Sequence, residues 1–151
     1  MPPSPAVTGI LLRYAAGERS FSHLDLDSEV HDFSGQVLEG ADFSGCFVVA
    51  TFCRANLARA RFKDANVKTC DFTSADLRNA VFDGSAIDAV IFNGADLTGA
   101  SFAGASEQGH IYKAGELPFA TQPNYALKRT ALGKVSSAIM RCGPHGRLAW
   151  A

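Results

Sequence analysis

The residues able to do chemistry are few and dispersed. The 151-residue chain carries four histidines (His23, His31, His110, His145) and four cysteines (Cys46, Cys53, Cys70, Cys142). No two cysteines show disulfide or zinc spacing, so they read as unpaired small residues. His31 has no Cys, Asp or second His at metal-ligand spacing beside it and reads as a cap residue with its ring partly in water. Serine and aspartate are frequent, but no Ser–His–Asp set emerges, nor a phosphate loop or dinucleotide fingerprint. Asp76 and Asp96 stand twenty residues apart. Stacked, they would offer a cation two carboxylates, although a polar residue beside a turn explains each more simply. These observations point away from an enzyme, and they call for no cofactor or metal.

What must position any site is a repeat of five between Phe33 and Ala105. Its large apolar centres are Phe33, Leu38, Phe43, Val48, Phe52, Leu57, Phe62, Val67, Phe72, Leu77, Phe82, Ile87, Phe92, Leu97 and Phe102. Every step is five except the four from Val48 to Phe52. Two residues before each centre from Ala50 onward stands a second position, nearly always small. Cys70 falls at one, as does Cys46 earlier; Cys53 falls outward and Cys142 in the tail.

Five is neither the helical period of 3.6 nor the strand period of 2. On a helix, residues five apart diverge by about 140°, and on a strand alternate centres face opposite sides. A chain that turns a corner every five residues sends one large and one small residue inward per side. Glycines at pentad ends, such as Gly84 and Gly99, suit the corners.

Residue type recurs every twenty: Phe, Leu, Phe, then Val or Ile. A four-sided coil stacks Phe52, Phe72 and Phe92 in one column and Phe62, Phe82 and Phe102 in another. Leu57, Leu77 and Leu97 form the third, and Val67 and Ile87 the fourth. A period of ten also explains the alternation of Phe with aliphatics; only the division of Leu from Val and Ile separates the two.

Segments such as Ala55-Asn-Leu-Ala-Arg, Ala75-Asp-Leu-Arg-Asn and Ala95-Asp-Leu-Thr-Gly resemble the pentapeptide-repeat family, over roughly half the chain. The resemblance implies an all-β solenoid: a right-handed, four-sided (quadrilateral) parallel β-helix of about four coils, paired through the backbone. At the ordinary interstrand spacing of about 4.8 Å, the stack is on the order of 20 Å long. The division expected is an N-terminal segment at 1–20, the β-helix at 21–106 and a tail at 107–151. Residues 1–19 read as Pro-rich, then briefly apolar, and 20–32 as the entry to the rod. Asn124 would cap a C-terminal helix at 125–140, with 141–151 loosely ordered. That helix would cover the open end of the rod or make a homodimer with its twin, as in some members of the resembled family.

Charge is uneven. Residues 20–105 hold twelve acidic and six basic side chains, a net of −6, whereas 106–151 are basic. Arg54, Arg59, Arg61, Lys63 and Lys68 make a basic belt on the second coil. Asp71, Asp76, Asp83 and Asp88 make an acidic belt on the third. Together they are the candidate partner surface, set against the plainer reading of solvated positions that pair across coils.

No apolar run is long enough to span a bilayer. The start Met1-Pro-Pro-Ser-Pro lacks the basic opening of a secretory signal, so a cytoplasmic location is expected. The role expected is a rigid scaffold for a protein partner. The resemblance implies an alternative, a DNA mimic that binds a type II topoisomerase as fluoroquinolone-resistance members do. Such a mimic needs dense acid along its length, because DNA carries one charge per roughly 1.7 Å. Direct nucleic-acid binding through the basic residues lacks interleaved aromatics for base stacking.

Overall fold

The computed structural model describes residues 2–118, 140–142 and 148–150. From Thr51 onward the chain returns over itself every twenty residues. Parallel bridges join Thr51 to Asp71, Asn56 to Asp76, Arg61 to Val81 and Asn66 to Ala86, and the next coil repeats them. Each bridge residue is held from both sides: Asp71 N donates to Ala50 O at 3.1 Å, and Phe52 N donates to Asp71 O at 2.7 Å.

Corners follow the same rule. Ala55 N donates to Phe52 O at 3.0 Å, closing a four-residue turn, and the pattern recurs at Ala60 and Ala65. The third turn residue has positive φ, as at Arg54 (56°), Arg59 (59°) and Gly84 (71°). A type II turn requires that conformation at that place. Because the turn consumes most of each pentad, most sides pair through a single bridge residue. The all-β expectation is therefore met only in part: few segments are strands.

Two longer strands occur where the five-residue beat is broken. β1 (Asp25–Asp32) pairs in parallel with β2 (Phe47–Thr51), and β2 spans the short Val48-to-Phe52 step. Without a corner to turn, that stretch stays extended. The register shifts between Leu26 and His31, so the surplus residues of β1 bulge outward. Ser20 bridges Asp42, and Phe21 stacks on Phe43 at 5.6 Å. The entry segment is thus a coil of the stack. At the other end, β3 (Ser106–Glu107) and β4 (His110–Ile111) form a small antiparallel hairpin. Beneath it the buried Tyr112 hydroxyl donates to Glu107 Oε2 at 2.6 Å.

The core is one continuous file. All fifteen pentad centres from Phe33 to Phe102 are buried, none more than 8% exposed, with Ala55, Ala60, Ala65, Cys70, Ala75 and Ala80 between them. Phe52 stacks on Phe72 at 5.0 Å and 4°, and Phe62 on Phe82 at 4.9 Å and 9°. Rings of the two columns meet edge to face, as Phe62 and Phe72 do at 5.7 Å and 79°. Both are favoured aromatic geometries.

The N-terminal segment is not the irregular stretch that its prolines suggested. Helix α1 (Pro5–Ala15) opens on Ser4, whose hydroxyl accepts from Val7 N, with Pro at the first turn. Serine at the cap followed by proline is a helix-start signal, because the proline ring presets φ where no N–H partner is needed. The helix buries Val7 and Ile10 in the same core as Phe21 and Phe33, and Arg13 lies over the Phe21 ring at 5.0 Å. A bare coil end exposes core and edges, so α1 acts as the cap. His31 corrects a second expectation. Its ring is buried rather than partly in water, and Nδ1 lies 3.1 Å from Ser4 Oγ.

The helix expected at 125–140 lies outside the described residues except at its last position. There Met140 belongs to a strand: β5 (Met140–Cys142) pairs antiparallel with β6 (Leu148–Trp150). That pairing replaces the loosely ordered end expected for 141–151.

One corner carries strain. Thr69 has φ 66°, a region where a β-branched side chain is an outlier and where an L-residue costs about 1–2 kcal/mol. Thr69→Gly is expected to raise stability by up to about 1 kcal/mol, the remainder being offset by glycine's freer unfolded state. A thermal melt below wild type would contradict the assignment.

Candidate interaction surface

Side chains that leave the core do so from the bridge position and the two corner positions of each pentad. On the wall outside Leu57, Leu77 and Leu97, Asp76 takes both Arg78 guanidinium nitrogens, at 2.9 and 2.7 Å. Hydrogen bonding to Arg78 holds the Asp76 carboxyl below its usual range against a small opposing effect of burial. Asp76 and Asp96 bridge each other, but Asp96 is engaged by Thr98, whose N–H and hydroxyl donate at 3.0 and 2.7 Å. On the same side, Arg59 reaches back one coil to Glu39 at 2.9 Å. A shallow cleft of about 120 Å³ opens among Glu39, Ala58, Arg59, Arg78 and Asn79. The sequence reading missed Glu39 and Arg78 as part of this surface. Glu39 stands twenty residues before Arg59, the spacing of neighbours in adjacent coils.

Around the remaining corners, Lys68 pairs with Asp88 across coils at 3.1 Å. Asp88 also accepts from Gln108 N at 2.6 Å. Burial pushes the Asp88 carboxyl up, but the Gln108 N–H and the Lys68 ammonium together pull it further down, so it lies below the ordinary range. Asp83 binds the Ser101 hydroxyl and accepts from Ala103 N at 3.0 Å, stapling its coil to the next. Arg54, Arg61 and Lys63 are exposed and make no ion pair among the described residues.

A pH prediction follows for Asp88. Its folded pKa is depressed, so its contribution is present above the unfolded aspartate value of about 3.9 and is lost as pH falls through the folded value. Asp88→Asn is expected to lower stability at neutral pH by about 1 kcal/mol. The gap from wild type should close as both are acidified below the folded value. Melts across pH 7 to about 2.5 check this; a gap that stayed constant would show that the charge is not the cause.

Two positions differ from the sequence reading. Asp71 was assigned to the partner surface, yet it is 2% exposed, and its Oδ1 accepts from Thr73 N at 2.8 Å. Outward direction on a coil does not guarantee water when something lies over that wall. Cys53, read as an unpaired outward residue, is buried and disulfide-bonded. Cys46 and Cys70 are free and buried. Desolvation pushes the Cys70 thiol up to about 12, so it stays protonated and unreactive.

A sequence model of pentapeptide repeats matches residues 50–73 and 68–104, in eight copies. The chain belongs to the pentapeptide-repeat family. No curated protein matches it. Among solved structures it is similar to a pentapeptide repeat protein from Nostoc PCC 7120, at 23% identity over 74% of this chain and 88% of that one, with a TM-score of 0.39. It is similar to one from the Arabidopsis thaliana thylakoid lumen at 24% identity, 89% and 87% coverage and a TM-score of 0.37. QnrB1, a plasmid-mediated fluoroquinolone resistance protein, is 21% identical over 58% of this chain and 72% of that one, with a TM-score of 0.30. Within the pentapeptide repeats of this chain, the described residues hold no group of three His, Cys, Asp or Glu side chains placed for a metal. No helix among them is long and apolar enough to cross a membrane.

Proposed function

We propose that this pentapeptide-repeat protein is a non-enzymatic scaffold: a right-handed quadrilateral β-helix over 21–106 that presents its corners to a protein partner. The observation that carries the reading is the division of its outward charges. Arg59, Lys68, Asp76 and Asp88 are engaged within the rod, while Arg54, Arg61 and Lys63 are left unpaired on an exposed, regularly spaced frame. Preorganised cations of this kind steer an acidic partner at little ordering cost. A cytoplasmic location and a homodimer formed through the C-terminal segment belong to the same proposal.

The test is affinity capture with wild type and with the Arg54→Glu, Arg61→Glu, Lys63→Glu triple variant. A partner retained by wild type and by Asp96→Asn, but lost with the triple variant, supports the reading. Equal capture by all three removes it. A type II topoisomerase is the less favoured partner, since the carboxylates a DNA mimic would present are engaged: Asp71 is buried, and Asp76, Asp83 and Asp88 hold neighbours within the rod. Inhibition of gyrase supercoiling at micromolar protein would reinstate it.

A further inference from the structure

One wall of the rod does not behave as an outer surface. Its bridge residues are Thr51, Asp71 and Ile91, which pair in that order up the stack. They are 0%, 2% and 8% exposed, and Cys53 at the adjoining corner is 1% exposed. The equivalent positions on the next wall, Asn56, Asp76 and Asp96, run from half-buried to exposed. Arg61, at the same position one wall further, is fully exposed. A four-sided coil treats its sides alike, so the pentad itself cannot remove water from one of them. Something covers that wall. Hydrogen bonds among the described residues bring only coil neighbours to it: Ser34 and Cys53 to Thr51, and Thr73 to Asp71. Asp32, which pairs with Thr51 at the N-terminal edge of the wall, is exposed, so α1 does not reach over it.

The cysteine count names what does. The chain has four cysteines. Cys53 is bonded, and Cys46 and Cys70 are free. Cys142 alone remains within this chain, at the end of β5. We propose that a Cys53–Cys142 disulfide ties the β5–β6 strand pair to the rod, and that the Thr51–Asp71–Ile91 wall is the docking surface for the chain's own C-terminal segment. The wall suits this occupant, being uncharged but for one aspartate that is bonded locally. Forming the bond removes two protons and two electrons from the two thiols. An oxidised thiol couple such as glutathione disulfide takes them and leaves as two reduced thiols. A dithiol reductant reverses the step, becoming a cyclic disulfide itself. A partner would then find only the other three walls free while the bond is closed.

The experiment uses the full chain equilibrated with glutathione disulfide. Thiols are counted after denaturation without reductant, and tryptic peptides are mapped without reduction. Two free thiols are expected, rising to four on reduction, with residues 142–147 linked to the peptide that ends at Arg54. Cys53→Ser should abolish that link and Cys46→Ser should leave it. Carbodiimide labelling of carboxyls then reads the cover. Asp71 should label several-fold faster in reduced protein and in Cys142→Ser than in oxidised wild type, while Asp96 stays constant and circular dichroism shows the rod intact. Four thiols in the oxidised chain, a Cys53 link that joins two chains, or Asp71 labelling indifferent to reduction would each overturn the proposal.

Discussion

Replacing Phe72 by alanine is expected to destabilise the protein by about 3–5 kcal/mol, the range for removing a buried aromatic ring from a core that cannot collapse around the gap. Phe72 is fully buried in the middle of its column. It stacks on Phe52 at 5.0 Å and on Phe92 at 5.5 Å, and it meets Phe62 and Phe82 edge to face at 5.7 and 5.6 Å. Its removal therefore strips four aromatic contacts as well as apolar area. The gap is fenced by backbone bonded to the coils on either side, so relaxation is limited. Against a total stability of roughly 5–15 kcal/mol, the loss is a large part of the whole. Urea titration of wild type and Phe72→Ala measures it. A midpoint unchanged by the substitution would show that the ring does not sit inside the stack.

Excising residues 71–75 is expected to be worse than excising 71–90, although it removes a quarter of the chain length. The five-residue cut moves every later centre one wall forward. Leu77 then lies over Phe52, Phe82 over Leu57 and Ile87 over Phe62. The stacked pairs Phe52–Phe72, Phe62–Phe82 and Phe72–Phe92 all vanish. Each such pair contributes about 0.5–1.5 kcal/mol beyond the area it buries. The backbone ladder can still close, so the predicted product is a stack with a mismatched core and a broad, weakly cooperative transition. The twenty-residue cut removes one whole coil. Phe92 then falls on Phe52 and Phe102 on Phe62, the columns are shorter but unbroken, and unfolding stays sharp at a lower midpoint, as nearest-neighbour stability in a solenoid requires. Equal melting behaviour for the two deletions would mean that wall identity is irrelevant and only the five-residue period matters.

Much of the frame was legible because it rests on local counting. A large residue every fifth place and a small one two before it can share an interior only if the chain corners each time. Leucine and valine or isoleucine recurring at separate places set the coil at twenty, and the Thr51–Asp71 and Asn56–Asp76 bridges keep that interval. The pairing of Lys68 with Asp88 lies on the same interval. The Ser4-Pro5 helix start was present in the sequence too, but its flanking prolines masked it. His31 illustrates a harder case. Its position marked it as a cap, yet only the packed structure brings Ser4 onto its ring.

What the chain's order of residues determined by itself is the interior, because the repeat dictates which side chains turn inward and how often the backbone must bend. Which outward residues meet water was decided by tertiary structure alone. Asp71 and Asp76 occupy the same place in the same motif, and one is buried while the other binds Arg78 at the surface. The motif specifies direction, and exposure depends on what segment distant in sequence lies across that wall. A disulfide at Cys53 is of the same kind: it depends on a meeting in space that no spacing along the chain encodes.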